Sequence, residues 1–112
     1  MLRKGVWLGL DRTVRPGSSS RPNRPGWEER TRTIQRLIEA GFGHKICLGH
    51  DWMTYAGIMS EQDFAKRRAA NPDGYCFIQK AVLPKLHELG VTKEQTDRIM
   101  FDNPRRFFEN RP

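Results

Sequence analysis

The sequence predicts an α/β chain: two short parallel strands joined by a helical crossover, with further helices behind the second strand. Three observations carry this. VWLGL at 6–10 and KICL at 45–48 are apolar runs too short for helices, and glycines bound or interrupt them, as at buried strands. Between them, Trp27 to Ala40 carries Ile34, Leu37 and Ile38 at three-and-four spacing, an amphipathic helix. After the second strand only helical patterns follow. Two strands separated by such a crossover lie parallel, with a right-handed connection.

The elements follow in order. Residues 1–12 hold the first strand, and TVRPGSSSRPNRPG at 13–26 is a long loop by its Pro, Gly and Ser content. The helix at 27–41 has Glu28 and Glu29 at its positive end and Gly41 to stop it. A strand at 45–51 leads into a second loop at 53–72, and the remainder, 74–112, is helical. Within it a helix runs from about Gly74 to Leu89, kinked by Pro84 and ended by Gly90. Thr92 and Gln95 form a capping box for a helix to about Phe101, and Asn103 with Pro104 reads as cap and first position of a last turn, NPRRFF.

At 112 residues the chain is one small domain. No apolar run approaches the roughly eighteen residues of a spanning helix, and MLRKGVWLGLDR meets an aspartate too soon for a signal peptide, so a soluble, cytoplasmic chain is expected. Cys47 and Cys76 lack CxxC spacing and read as buried free thiols. A net charge of +7 and a pI near 10.0 invite nucleic-acid binding. Glu28, Glu29, Glu39, Glu88, Glu94 and Asp97 break up that basic character, and the arginines of 12–24 lack aromatics for base stacking, which disfavours it.

Both strands end in a charge: LGLD closes on Asp11 and LGHD on Asp51. In parallel sheets the carboxyl ends of the strands are where loops converge and ligands bind, so the two aspartates share one edge and are expected to be neighbours. Alternation groups Trp7, Gly9 and Asp11 on one face, and Cys47, Gly49 and Asp51 on one face, leaving a glycine beneath each carboxylate. On these residues alone each aspartate is either a βα-loop cap or part of a site. The histidines add little. His44 stands roughly 20 Å along an extended chain from Asp51, far beyond ligand bonds of about 2 Å to a shared ion. His87 reads as a helix-face residue, and His50 points to the face opposite Asp51, as a packing or hydrogen-bonding side chain. Two strands are too few for a parallel sheet covered on both faces, so the chain is expected to be part of something larger.

GLDR, LIEAGFGHKICLGHDW and NPDGYCFIQKAVLPKLHELGVTKEQTDRIMFDNPRRFF together resemble the C-terminal end of the phosphotriesterase-related family of the amidohydrolase superfamily, which includes phosphotriesterases and phosphotriesterase-like lactonases. The resemblance implies a partial (β/α)8 TIM barrel: the last two strand–helix units, with the seventh and eighth strands, plus a C-terminal helix. It implies metal-assisted hydrolysis of a small-molecule ester, lactone or phosphotriester by a hydroxide held between two divalent ions, commonly zinc. Asp51 would be both metal ligand and catalytic proton acceptor. Asp11 and Arg12 would approach the substrate, Trp52 would wall its pocket, and the loops at 13–26 and 53–70 would form the rim. Arg12 resembles the lactonase-like members, because phosphotriesterases proper carry histidine there. A homodimer of the complete enzyme fits the same family. The family's HxH of the first strand, carboxylated lysine of the fourth and histidines of the fifth and sixth are absent here, so this chain alone is expected to be inactive and to hold no metal. The alternative is a non-catalytic basic module binding nucleic acid or a partner protein.

Overall fold

The computed structural model describes residues 5–11, 25–52 and 60–112. Arg12, most of the predicted loop at 13–26, and residues 53–59 lie outside the described residues. Strand β1 (Leu8–Leu10) pairs in parallel with β2 (Ile46–Leu48), in the register Leu8 to Ile46, Gly9 to Cys47 and Leu10 to Leu48. The ladder continues one step, with the Gly49 N–H donating to the Leu10 carbonyl at 3.3 Å. Alternation divides this ribbon into two faces. Leu10, Ile46 and Leu48 join the apolar core, while Gly9 on the other face is exposed and Cys47 half-buried.

Helix α1 (Trp27–Glu39) is the crossover. Thr31, Ile34 and Ile38 are its buried stripe, and the Thr31 hydroxyl donates to the Trp27 carbonyl at 2.7 Å, so this polar member of the stripe is satisfied. The helix stops as the sequence predicts: Gly41 takes φ +88°, its N–H donates to Ile38, and the Phe42 N–H donates to Leu37, the paired bonds of a Schellman end. Gly90 closes a later helix in the same way, through Val91 to Leu86 and Gly90 to His87. The core joins Ile34 and Ile38 of α1 and Ile46 of β2 to Phe77, Ile78, Val82, Leu86, Val91 and Ile99 of the C-terminal helical segment.

Three local expectations are corrected. The described part of the predicted 53–72 loop contains helix α2 (Glu61–Ala70), capped by Ser60, whose hydroxyl accepts from the Asp63 N–H at 3.1 Å. None of its residues is buried, so apolar periodicity was silent there and only the Ser-x-x-Asp cap spacing marked it. Neither Pro84 nor Pro104 ends its helix. Each follows a π turn, Ile78–Val82 before α3 (Leu83–Glu88) and Arg98–Asp102 between α4 (Lys93–Asp97) and α5 (Asn103–Phe108). A wider preceding turn accommodates both the missing proline N–H and the ring's clash with the carbonyl four residues back. Asn103 is therefore inside a continuous helix, at φ −64° and ψ −50°, and is not a cap. The Thr92–Gln95 capping box is present as expected. Cys47 and Cys76 are both free, but Cys76 is exposed rather than buried, because it sits on the one-turn helix Gly74–Cys76 at the surface.

The start of β1 is tied to the last helix by Trp7, whose ring meets Phe107 edge-on at 5.9 Å and lies under the Lys45 ammonium at 4.5 Å. Among the described residues no helix is long and apolar enough to cross a membrane.

Candidate functional site at the strand ends

Asp11 and Asp51 both leave the carboxyl edge of the ribbon, and both are exposed. Their glycines are shared differently from the expectation. A Cβ on Gly9 would stand 3.6 Å from Asp11 Oδ1, and one on Gly49 only 3.2 Å from it. Gly49 thus leaves room for the Asp11 carboxylate, while a Cβ on Gly9 would make only ordinary contact with it. The register is the reason: it sets Asp11 opposite Gly49, so Asp51 projects two residues further along the same edge.

Asp51 has φ 47°, a left-handed conformation uncommon for a residue with a side chain, though a short polar one tolerates it best. Its neighbours are held from one segment. His50 Nε2 accepts from the Ile78 N–H at 3.1 Å, and the Trp52 carbonyl accepts from the Tyr75 hydroxyl at 2.6 Å. The His50 and Tyr75 rings meet edge-on at 6.0 Å. Gly74 has φ +49°, and a Cβ there would reach 3.2 Å from the Trp52 indole nitrogen. Burial pushes the His50 imidazole below its ordinary pKa, which favours the neutral ring that its acceptor role requires. His50 is hydrogen-bonded, as its strand face suggests.

The other histidines stand apart from this edge. His44 Nδ1 lies 3.0 Å from the Gly41 carbonyl and His87 Nε2 lies 3.0 Å from the Thr96 hydroxyl. Asp51 offers a hard oxygen donor suited to a divalent cation, and so fits one position of a metal's ligand set. Among the described residues no three of His, Cys, Asp and Glu come together to complete such a set. Trp52 is half-buried against Gly74, and Arg12 lies outside the described residues. Sequence reasoning missed Gly74 and Tyr75: NPDG marks a turn, but nothing in it shows that a tyrosine 23 positions on reaches the carbonyl beside Asp51.

The model of the phosphotriesterase family matches residues 1–108. The chain belongs to the phosphotriesterase family. A phosphotriesterase homology protein of Mycobacterium tuberculosis is 31% identical over 114 residues, covering 97% of this chain and 31% of that protein. The solved structure of a phosphotriesterase from Mycobacterium tuberculosis superposes with a TM-score of 0.77 at 32% identity, over 96% of this chain and 31% of that one. N-acetyltaurine hydrolase of Danio rerio is 29% identical over 85 residues, 74% of this chain and 21% of that protein. The chain therefore spans a third or less of the length of these relatives, and the family to which it belongs is one of hydrolases.

Proposed function

We propose that this chain is the C-terminal part of a metal-dependent hydrolase with a (β/α)8 barrel, in which β1 and β2 are the seventh and eighth strands. The observation that carries the reading is a parallel pair whose two carboxylates leave the same edge, in a chain about one third the length of a phosphotriesterase that it resembles in fold. Ligands of parallel barrels gather at that edge.

In the complete polypeptide Asp51 would be one of the ligands holding divalent metal, two zinc ions by the family resemblance, and would accept a proton during turnover. When bound, such ions acidify water and polarise the bond to be broken. Arg12 presents a fixed cation that orients the substrate's carbonyl or phosphoryl oxygen, with Asp11 beside it, and Trp52 lines the pocket. The substrate class is a small ester, lactone or phosphotriester. The N-acetyltaurine hydrolases among the relatives add a simple amide, since the same attack serves any acyl carbon. The complete enzyme works in the cytoplasm, as a homodimer on the family pattern.

On the family pattern the other metal ligands lie on strands before residue 1, and among the described residues no ligand cluster forms, so the isolated chain is inactive in this reading. The test is an assay of the purified 112-residue chain with zinc, against paraoxon, an aryl ester and a lactone. No turnover is expected, and metal-dependent turnover abolished by Asp51→Asn would overturn the reading.

A further inference from the structure

Asp51, at φ 47°, lies between residues 50 and 52, and both of these are held by residues 74–78. Ile78 fixes His50 through its backbone N–H, Tyr75 fixes Trp52 through its hydroxyl, and Gly74 admits the Trp52 indole where a side chain would obstruct it. This segment is itself anchored. Ile78 is 1% exposed and Phe77 6%, and Phe77 meets Trp27 of α1 edge-on at 5.4 Å. An uncommon backbone conformation persists only where its surroundings over-determine it, and here two ties straddle the residue from one core-anchored turn.

We propose that Tyr75 is a positioning residue for Asp51: its hydroxyl, with the close fit of Gly74 against Trp52, sets the direction in which the Asp51 carboxylate leaves the strand. The proposal rests on the reading of Asp51 as a metal ligand. Tyr75 is 51% exposed, so removing its hydroxyl uncovers no core, and Tyr75→Phe keeps the ring contact with His50 while deleting only the donor. Partners that orient a ligand without touching the ion typically change metal affinity by about 10- to 100-fold.

The experiment loads the complete polypeptide with cobalt(II), which reports both affinity and ligand geometry through its visible absorption, in the parent, Tyr75→Phe, Gly74→Ala and Asp51→Asn proteins. Tyr75→Phe is expected to weaken cobalt binding by about tenfold and to shift the absorption bands, with an unchanged thermal midpoint. Gly74→Ala should move both in the same direction. Parental affinity and spectrum in Tyr75→Phe, alongside loss of both in Asp51→Asn, would refute the brace and leave the ligand reading standing. Parental affinity and spectrum in Asp51→Asn would refute the ligand reading, and the brace with it. Weakened binding that merely tracks lost thermal stability in both Tyr75→Phe and Gly74→Ala would also overturn the proposal.

Discussion

Asn103 is fully buried, and its side-chain amide donates to the carbonyls of Gly43 and Ile46, each at 2.7 Å, joining the last helix to the turn before β2 and to the first residue of that strand. Asn103→Ala removes both bonds, each contributing about 1–1.5 kcal/mol net, and opens a small void. It also removes the Oδ1 atom, which is buried without a partner, and this returns about 1 kcal/mol. The balance is a destabilisation of about 2 kcal/mol. Equilibrium urea unfolding of the 112-residue chain at neutral pH, at a concentration low enough to keep it monomeric and followed by far-ultraviolet circular dichroism, measures it. Asn103→Leu separates the causes, because it preserves volume while still depriving two carbonyls of their donors, and it should lose about as much as the alanine variant. A leucine variant as stable as the parent would show that packing alone holds the helix to β2, and an unaffected alanine variant would refute the cross-link altogether.

Three further outcomes follow from the same geometry. Because burial lowers the His50 pKa, its bond with the Ile78 N–H contributes fully above the ordinary value near 6.5 and is lost as the pH falls through the lowered value. The urea midpoint of His50→Leu should therefore lie below the parent's at pH 7 and converge with it in acid. Among the described residues the ribbon has only two strands, and Gly9 on its open face is exposed, so the isolated chain should self-associate with concentration in sedimentation; a monomer at all concentrations would count against this. In the complete polypeptide Arg12→Ala should change the ratio of lactone to phosphotriester turnover with metal content unchanged, as read by elemental analysis; a loss of metal would place Arg12's role elsewhere.

The parallel pair, the crossover helix, the glycine helix ends and the Thr92 capping box were legible because each rests on local chemistry: apolar period, a left-handed glycine, a side chain three residues from its backbone partner. Helix α2 was not, since a helix that buries nothing leaves no apolar stripe. Asn103 was misread as a cap because Asn-Pro before a basic aromatic run is a good local start signal, whereas its partners lie about 60 residues away. At the strand ends, the parallel pairing read from the helical crossover put Asp11 and Asp51 on one edge. Alternation could not show the register that sets Gly49 against Asp11, nor the long-range ties from Tyr75 and Ile78 to the neighbours of Asp51.

The central claim, that Asp51 is a metal ligand of a hydrolase completed by chain beyond these residues, is tested most directly by elemental analysis of the purified complete polypeptide and its Asp51→Ala variant, each assayed for hydrolysis of an ester, a lactone and paraoxon. The account predicts about two divalent ions per chain in the parent, and loss of most metal and most activity in the variant. Full metal content and full activity in Asp51→Ala would contradict it.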